Sequence, residues 1–253
     1  MQTAPTILVV GSGNVAWHLC CAFQLSKMPI LGIAIRDQKE SIAFKQAFSI
    51  EIFDIKKLPK ADIIVLAVSD NSITDVSEIF KNSNSTIVHT SGTFGISELN
   101  HSIKNKGVFY PFQTFTKGNY LDYYSIPTFL ESNSAQVEKH LKYLSKAFGS
   151  NLYFIDSEAK KSLHIAGVLA NNFINKLLQE SIDLLEKNKI PQEVIWPLVD
   201  ETVKKAKQTG PKKAQTGPAI RNDQKTINEH LEYLKNQPNL QNIYSKLTQL
   251  IQE

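Results

Sequence analysis

Short β-branched runs alternate with amphipathic stretches of helical period through the first 156 of the chain's 253 residues. Apolar runs rich in Val and Ile predict strands at residues 6–10, 31–35, 50–53, 62–68, 85–90, 108–111, 128–131 and 152–155. Between them, helices are expected at 15–26, 39–48, 73–80, 96–105 and 135–148. This rhythm builds a mainly parallel sheet with helices on both faces. After Asp156 the pattern changes. Ala166, Leu169, Ala170, Phe173, Leu177 and Leu184 recur at threes, fours and sevens, so one long helix is expected over 157–187. Another begins at Pro191, and two more cover about 224–236 and 240–253. The expected fold class is therefore α/β: a doubly wound, mainly parallel sheet over residues 1–156, followed by an all-α domain over 157–253. Ligands of such sheets lie beyond the carboxyl ends of the strands, which directs attention to the loops after Val10, Ile35, Val68 and Thr90.

Composition narrows the classes. The 42% hydrophobic content suits a globular protein, and no apolar stretch approaches the ~18 residues of a membrane span. The amino terminus carries no charged flank or cleavage pattern, so secretion is not expected. Cys20 and Cys21 sit side by side on a helix, about 100° apart, and read as reduced thiols in a cytoplasmic protein. The net charge is +4, with five lysines between Lys204 and Lys213; without interleaved aromatics they describe a solvated face and not a nucleic-acid site. Neither a metal centre nor a membrane partner is expected. The echo of Gln208-Thr-Gly-Pro211 in Gln215-Thr-Gly-Pro218 reads as two similar turns.

The chemistry begins with Gly11-Ser-Gly-Asn-Val-Ala16, directly behind an apolar strand and ahead of a helix. In that context the glycines form a dinucleotide fingerprint: a tight turn at Gly11, free approach for a pyrophosphate at Gly13, and close packing at Ala16. Gly11, Ser12, Gly13, Asn14 and Val15 are the expected pyrophosphate cradle, at the positive end of a helix. The second strand runs into Arg36-Asp37 about twenty residues on. Arginine there suits the 2′-phosphate of NADP, whereas Asp37 either accepts from the ribose of NAD or caps the next helix; NADP is favoured over NAD. Val68, Ser69 and Asp70 would flank the nicotinamide ribose, although Asp70 reads first as a helix cap.

Thr90, Ser91 and Gly92 end the fifth strand and are candidate substrate contacts, with His89 either a titrating group or a hydrogen-bonded structural one. Gln113 is a polar handle in the aromatic segment 107–115. On the long helix, His164 shares a face with Asn171 and Asn175, and Asn172 lies about 80° around. The loop 215–223 offers Thr216 and Arg221, the latter either ion-paired to Asp223 or free for an anionic substrate.

Taken together, Gly11–Ala16, Ala67-Val-Ser-Asp70, Val88-His-Thr-Ser-Gly92, Phe109-Tyr-Pro-Phe-Gln-Thr-Phe115, His164 with Asn172, and Thr216-Gly-Pro-Ala-Ile-Arg-Asn-Asp223 resemble a family of Rossmann-like NADP-oxidoreductase-type proteins. Its helical C-terminal domain is of the 6-phosphogluconate dehydrogenase type and of unknown function. The resemblance implies distant kinship to pyrroline-5-carboxylate reductase, ketopantoate reductase and the β-hydroxyacid dehydrogenases. It further implies hydride transfer from NADPH to a small carbonyl or imine substrate in a cleft between the domains, with a homodimer held by the helical domain. His164 and Asn172 would be catalytic, His164 as proton donor. Two departures stand out. Val168 occupies the place of the dehydrogenases' catalytic lysine, three residues before Asn171-Asn172, and Asn222 replaces the family's glycine before Asp223. Val168 keeps a second reading in view, a non-catalytic dinucleotide-binding regulatory or scaffold protein. A methyltransferase built on the same glycines rests on Asp37 alone.

Overall fold

The computed structural model describes residues 4–149 and 151–253. Among these, eight strands form one sheet: β1 (Ile7–Val10), β2 (Ile30–Ala34), β3 (Glu51–Phe53), β4 (Ile63–Leu66), β5 (Thr86–His89), β6 (Lys106–Pro111), β7 (Thr128–Ser132) and β8 (Leu152–Phe154). Their order is β3-β2-β1-β4-β5-β6-β7-β8. Every neighbouring pair is parallel except β6 with β7. Strand order reverses between β1 and β4, and in doubly wound sheets ligands bind beyond the carboxyl ends of the strands at such a reversal. The fold is the expected doubly wound, mainly parallel α/β sheet followed by a helical region.

Strand pleating explains why β1 reads as an unbroken apolar run. All four of its residues are buried, Ile7 and Val9 on one face and Leu8 and Val10 on the other. The first face packs under α1 (Asn14–Leu25), α2 (Gln38–Ala47) and, further along the sheet, α4 (Ala135–Ser145) with the 3-10 turn behind it, through Leu19, Phe23, Phe44, Leu141 and Phe148. The second face is covered by Ile73 of α3 (Ile73–Ser77) together with Phe80, Leu99 and Ile103.

The helix expected at 96–105 is not formed. One 3-10 turn, Ile96–Glu98, stands in its place, because Asn100 turns the chain: its Oδ1 accepts from Ser102 N at 2.7 Å, and its own N–H donates to Ser77 Oγ. An Asx turn of this kind competes with helix propagation. β6 starts earlier than expected, at Lys106, whose N–H donates to Asn133 Oδ1.

After β8, α5 (Ser157–Gly167) starts at Asp156, whose carboxylate accepts from Ala159 N at 2.8 Å. A π-helical turn, Val168–Phe173, joins it to α6 (Ile174–Lys187). The long helix expected over 157–187 is thus present with a π segment at Asn171-Asn172. The chain divides into two compact units between Asn171 and Asn172, so α5 belongs with the sheet, whereas the composition changes at Asp156. The second unit comprises α6, α7 (Trp196–Thr209), α8 (Pro211–Ala214), α9 (Gln224–Tyr233) and α10 (Pro238–Gln252). Asn188 beyond α6 bonds Tyr233 of α9, and Gln241 of α10 donates to Leu231 O. Among the described residues, no helix is long and apolar enough to cross a membrane.

Candidate functional site

The turn after β1 is shaped by two glycines for different reasons. Gly11 has φ +127°, donates its N–H to Ala34 O, and lies so close to β4 that a Cβ would stand 2.1 Å from Ala67 O. Only glycine fits there. Gly13 is the N-cap of α1 in ordinary extended geometry, and nothing lies within 4 Å of where its Cβ would be. No side chain caps α1. Its first amides therefore point outward as uncompensated donors at the positive end of the helix. Ser12 and Val15 are half-buried beside them, and exposed Asn14 accepts from Lys117 N at 3.2 Å.

At the end of β2, Arg36 is exposed and makes no hydrogen bond or ion pair among the described residues. Asp37 takes the capping option: its Oδ1 accepts from Lys39 N at 2.8 Å and Glu40 N at 3.1 Å, and these amides hold its carboxyl below the usual range. Lys117, reaching over from the loop after β6, pairs with Glu40 in the first turn of α2.

Beyond β4, Val68 is half-buried while Ser69 and Asp70 are exposed. Asp70 is not the helix cap that its position suggests. It is the first residue of a 3-10 turn, Asp70–Ser72, and its side chain makes no capping bond; Ser69 bonds Ser72 instead. Freed from that task, the Asp70 carboxylate acts through space on Tyr110 and Lys160.

His89 is wholly buried, and its partners fix its state. Ser91 N–H donates to Nδ1 at 3.2 Å, so Nε2 carries the proton and donates to Gly95 O at 3.0 Å. The ring fastens the loop after β5 and does not titrate near neutrality; burial lowers its pKa to about 4. An unfolded histidine protonates near pH 6.5, so between there and pH 4 the unfolded chain binds a proton that the folded one refuses. Stability is expected to fall as pH drops through that window, by about 3 kcal/mol in all. Urea denaturation from pH 7 to pH 4 checks this, with His89→Gln flattening the His89 part of the slope.

Thr90 and Ser91 are buried, and Ser91 Oγ accepts from Thr93 N and Phe94 N, closing the loop on itself. Gly92 presents its Cα to two rings. A Cβ on it would stand 2.6 Å from Tyr110 Cζ and 2.6 Å from His164 Nδ1. In the space left by that missing carbon, Tyr110 Oη and His164 Nδ1 meet at 3.2 Å. One turn before His164 on α5, Lys160 is 1% exposed; its ammonium donates to Phe94 O and lies 3.5 Å from Glu131 Oε2. Glu131 Oε1 accepts from Ser157 Oγ at 2.7 Å, while Oε2 makes no hydrogen bond among the described residues and faces that ammonium. Burial lowers the Lys160 pKa, and Glu131 opposes the shift.

The structure therefore gathers Gly92 and His164, and adds to them Tyr110 and Lys160, neither of which is among the expected site residues. Strand alternation placed Tyr110 opposite buried Phe109, and the i, i+4 spacing placed Lys160 on the face of His164. Gln113 stands apart, exposed, its Oε1 accepting from Thr114 N. Asn172, Thr216 and Arg221 belong to the second unit, where all three are exposed. There Asn222 adopts φ +53° and Asp223 caps α9 through Thr226 N, so the turn survives without its glycine. Among the described residues, no three His, Cys, Asp or Glu side chains group as a metal site would.

Comparison with known proteins fits this architecture. Residues 126–251 match the model of a domain of unknown function, DUF2520. BF3122 from Bacteroides fragilis, described as a candidate NADP oxidoreductase, is 31% identical over 98% of both chains, with a TM-score of 0.92. Protein TM1727 from Thermotoga maritima shares the fold at 19% identity and TM-score 0.74, over 97% of this chain and 96% of its own. A Streptomyces aurantiacus imine reductase does so at 9% and 0.69, over 98% and 96%. No curated protein matches the sequence. Identity at this level with the Bacteroides protein, over essentially the whole of both chains and on the same fold, makes the chain a member of the Rossmann-fold family that includes it.

Proposed function

We propose that the chain is a reductase that uses NADPH, with NADH the weaker alternative, to reduce a small carbonyl or imine compound. The observation that carries this is the start of α1: uncapped amides, a turn fitted to glycine at Gly11, and free approach at Gly13. Gly11, Ser12, Gly13, Asn14 and Val15 would hold the pyrophosphate there, and Val68, Ser69 and Asp70 would flank the nicotinamide ribose. Arg36 would take the 2′-phosphate. Its guanidinium is uncommitted among the described residues, while Asp37, the acidic rival, already accepts two amides as a cap. The name of the Bacteroides relative supports the same cofactor. When bound, NADPH supplies the hydride. Gly92, just beyond the carboxyl end of β5, and His164 of α5 beside it would face the substrate, as this architecture presents it to a dinucleotide, with Thr90, Ser91 and Gln113 on the adjoining loops.

Arg36→Ala is expected to weaken NADPH binding by about 10- to 100-fold, the value of a charge-assisted hydrogen bond, and NADH binding by about 2-fold or less. Fluorescence titration with both dinucleotides measures this, and equal losses would refute the role of Arg36. Turnover is tested separately with NADPH and a panel of 2-oxo acids and cyclic imines. Val168, in the place of the dehydrogenase lysine, favours the scaffold reading. Tight NADPH binding with no turnover of any compound would establish that reading instead.

A further inference from the structure

The proton of the reduction has a source in the first unit. On the reductase reading above, we infer that the Tyr110 hydroxyl, held against the His164 imidazole in the space that Gly92 leaves, is the group that protonates the substrate heteroatom. Three observations converge on it. Tyr110 stands near the carboxyl end of β6, beside the turn that ends β5, which is the ligand side of a doubly wound sheet. Its oxygen is 3.2 Å from His164 Nδ1, and both rings lie so close to the Gly92 Cα that any side chain at position 92 would part them. The hydroxyl also sits in the field of the Asp70 carboxylate, from the loop after β4. Burial and that negative charge both raise the Tyr110 pKa, so the donor stays loaded at neutral pH.

The chemistry balances as follows. A bound reduced dinucleotide would supply the hydride for a C–H bond at the substrate carbon, which would leave the π pair of the C=O or C=N bond on the heteroatom. That atom takes the Tyr110 proton, forming an O–H or N–H bond. The phenolate is reloaded through His164: the Nδ1 proton passes to the tyrosine oxygen, Nε2 gains one from solvent, and proton exchange with solvent restores the Nδ1–H tautomer before the next turnover. His164 therefore acts through Tyr110, as its positioning partner and proton relay. A positioned general acid contributes about 10²- to 10⁴-fold to rate. Lys160 is bound to Phe94 O and faces Glu131, so its ammonium is committed to fastening α5 and not to this step.

Tyr110→Phe removes one oxygen and keeps the ring packing. With NADPH and 2-methyl-1-pyrroline as the probe imine, it is expected to lose at least 100-fold in kcat, with KM and NADPH affinity within about 2-fold of wild type. His164→Gln, which can still hydrogen-bond the tyrosine, is expected to lose less. A readout independent of turnover is the nitrogen NMR spectrum of histidine-labelled protein, in which Tyr110→Phe should move the His164 Nδ1 resonance and leave His89 in place. Unchanged His164 nitrogens, or a Tyr110→Phe enzyme keeping more than a third of wild-type kcat, would overturn the assignment of Tyr110 alone. A larger loss in His164→Gln than in Tyr110→Phe would make the histidine the donor, again overturning it. Failure of the wild type to bind NADPH or to reduce the probe would count against the reductase reading, and this step would fall with it.

Discussion

Lys160→Met is expected to destabilise the first unit by about 3–5 kcal/mol, the cost of breaking a buried ion pair from one side. The lysine is 1% exposed and its partner Glu131 13% exposed, so solvent does little to screen the carboxylate left behind. Glu131 Oε2 makes no hydrogen bond among the described residues and faces the ammonium, and Phe94 O loses a donor as well. The midpoint should fall by about 6–20 °C. Trp17, packed edge-on against Phe44 and Phe48, reports on the first unit once Trp196 of the second is replaced by Phe. The double variant Lys160→Met, Glu131→Gln should recover most of the loss, because it removes the buried charge and keeps an acceptor for Ser157 Oγ. A single variant as stable as wild type would show that water reaches Glu131. A double variant no better than the single one would place the whole cost in the contact with Phe94.

The same contacts explain how much was legible in the sequence. Periodicity is a property of consecutive residues, so β1, with four buried positions in a row, and the helices behind it could be read directly. The helix expected at 96–105 failed because its apolar spacing, through Leu99 and Ile103, is also satisfied by a turn that Asn100 folds with Ser102 and Ser77. Helical spacing says which side chains go inward and not how the backbone reaches them. The glycine fingerprint was legible because it is contiguous. Tyr110 and His164 are 54 residues apart, and Lys160 and Glu131 are 29 apart; nothing local announces either pair. Asp70 misled for the opposite reason. Its local signal for a cap was sound, but Ser69 and Ser72 bond each other and leave its carboxylate to act at a distance on Tyr110.

The two glycines of the fingerprint should part company when replaced, and that contrast tests the cofactor site most directly. Gly11→Ala puts a carbon 2.1 Å from Ala67 O at a backbone φ of +127°, so both the clash and the conformation oppose it. A loss on the order of 4 kcal/mol or more is expected, as for other severe backbone substitutions, with little folded protein recovered. A Cβ at position 13 would meet no atom within 4 Å, and the backbone there sits at φ −76°, ψ −176°, which any residue adopts, so Gly13→Val starts from an open, unstrained position. Its folding cost should stay near 1 kcal/mol, the scale of a helix-cap change. Its side chain nevertheless occupies the approach to the first amides of α1. A pyrophosphate barred from two charge-assisted hydrogen bonds loses roughly 100-fold or more in affinity. The Gly13→Val protein is therefore expected to melt close to wild type and to bind NADPH and NADH equally poorly, unlike Arg36→Ala, which distinguishes them. Wild-type NADPH affinity in Gly13→Val would mean that the glycines shape a turn and hold no phosphate, whatever Arg36 does.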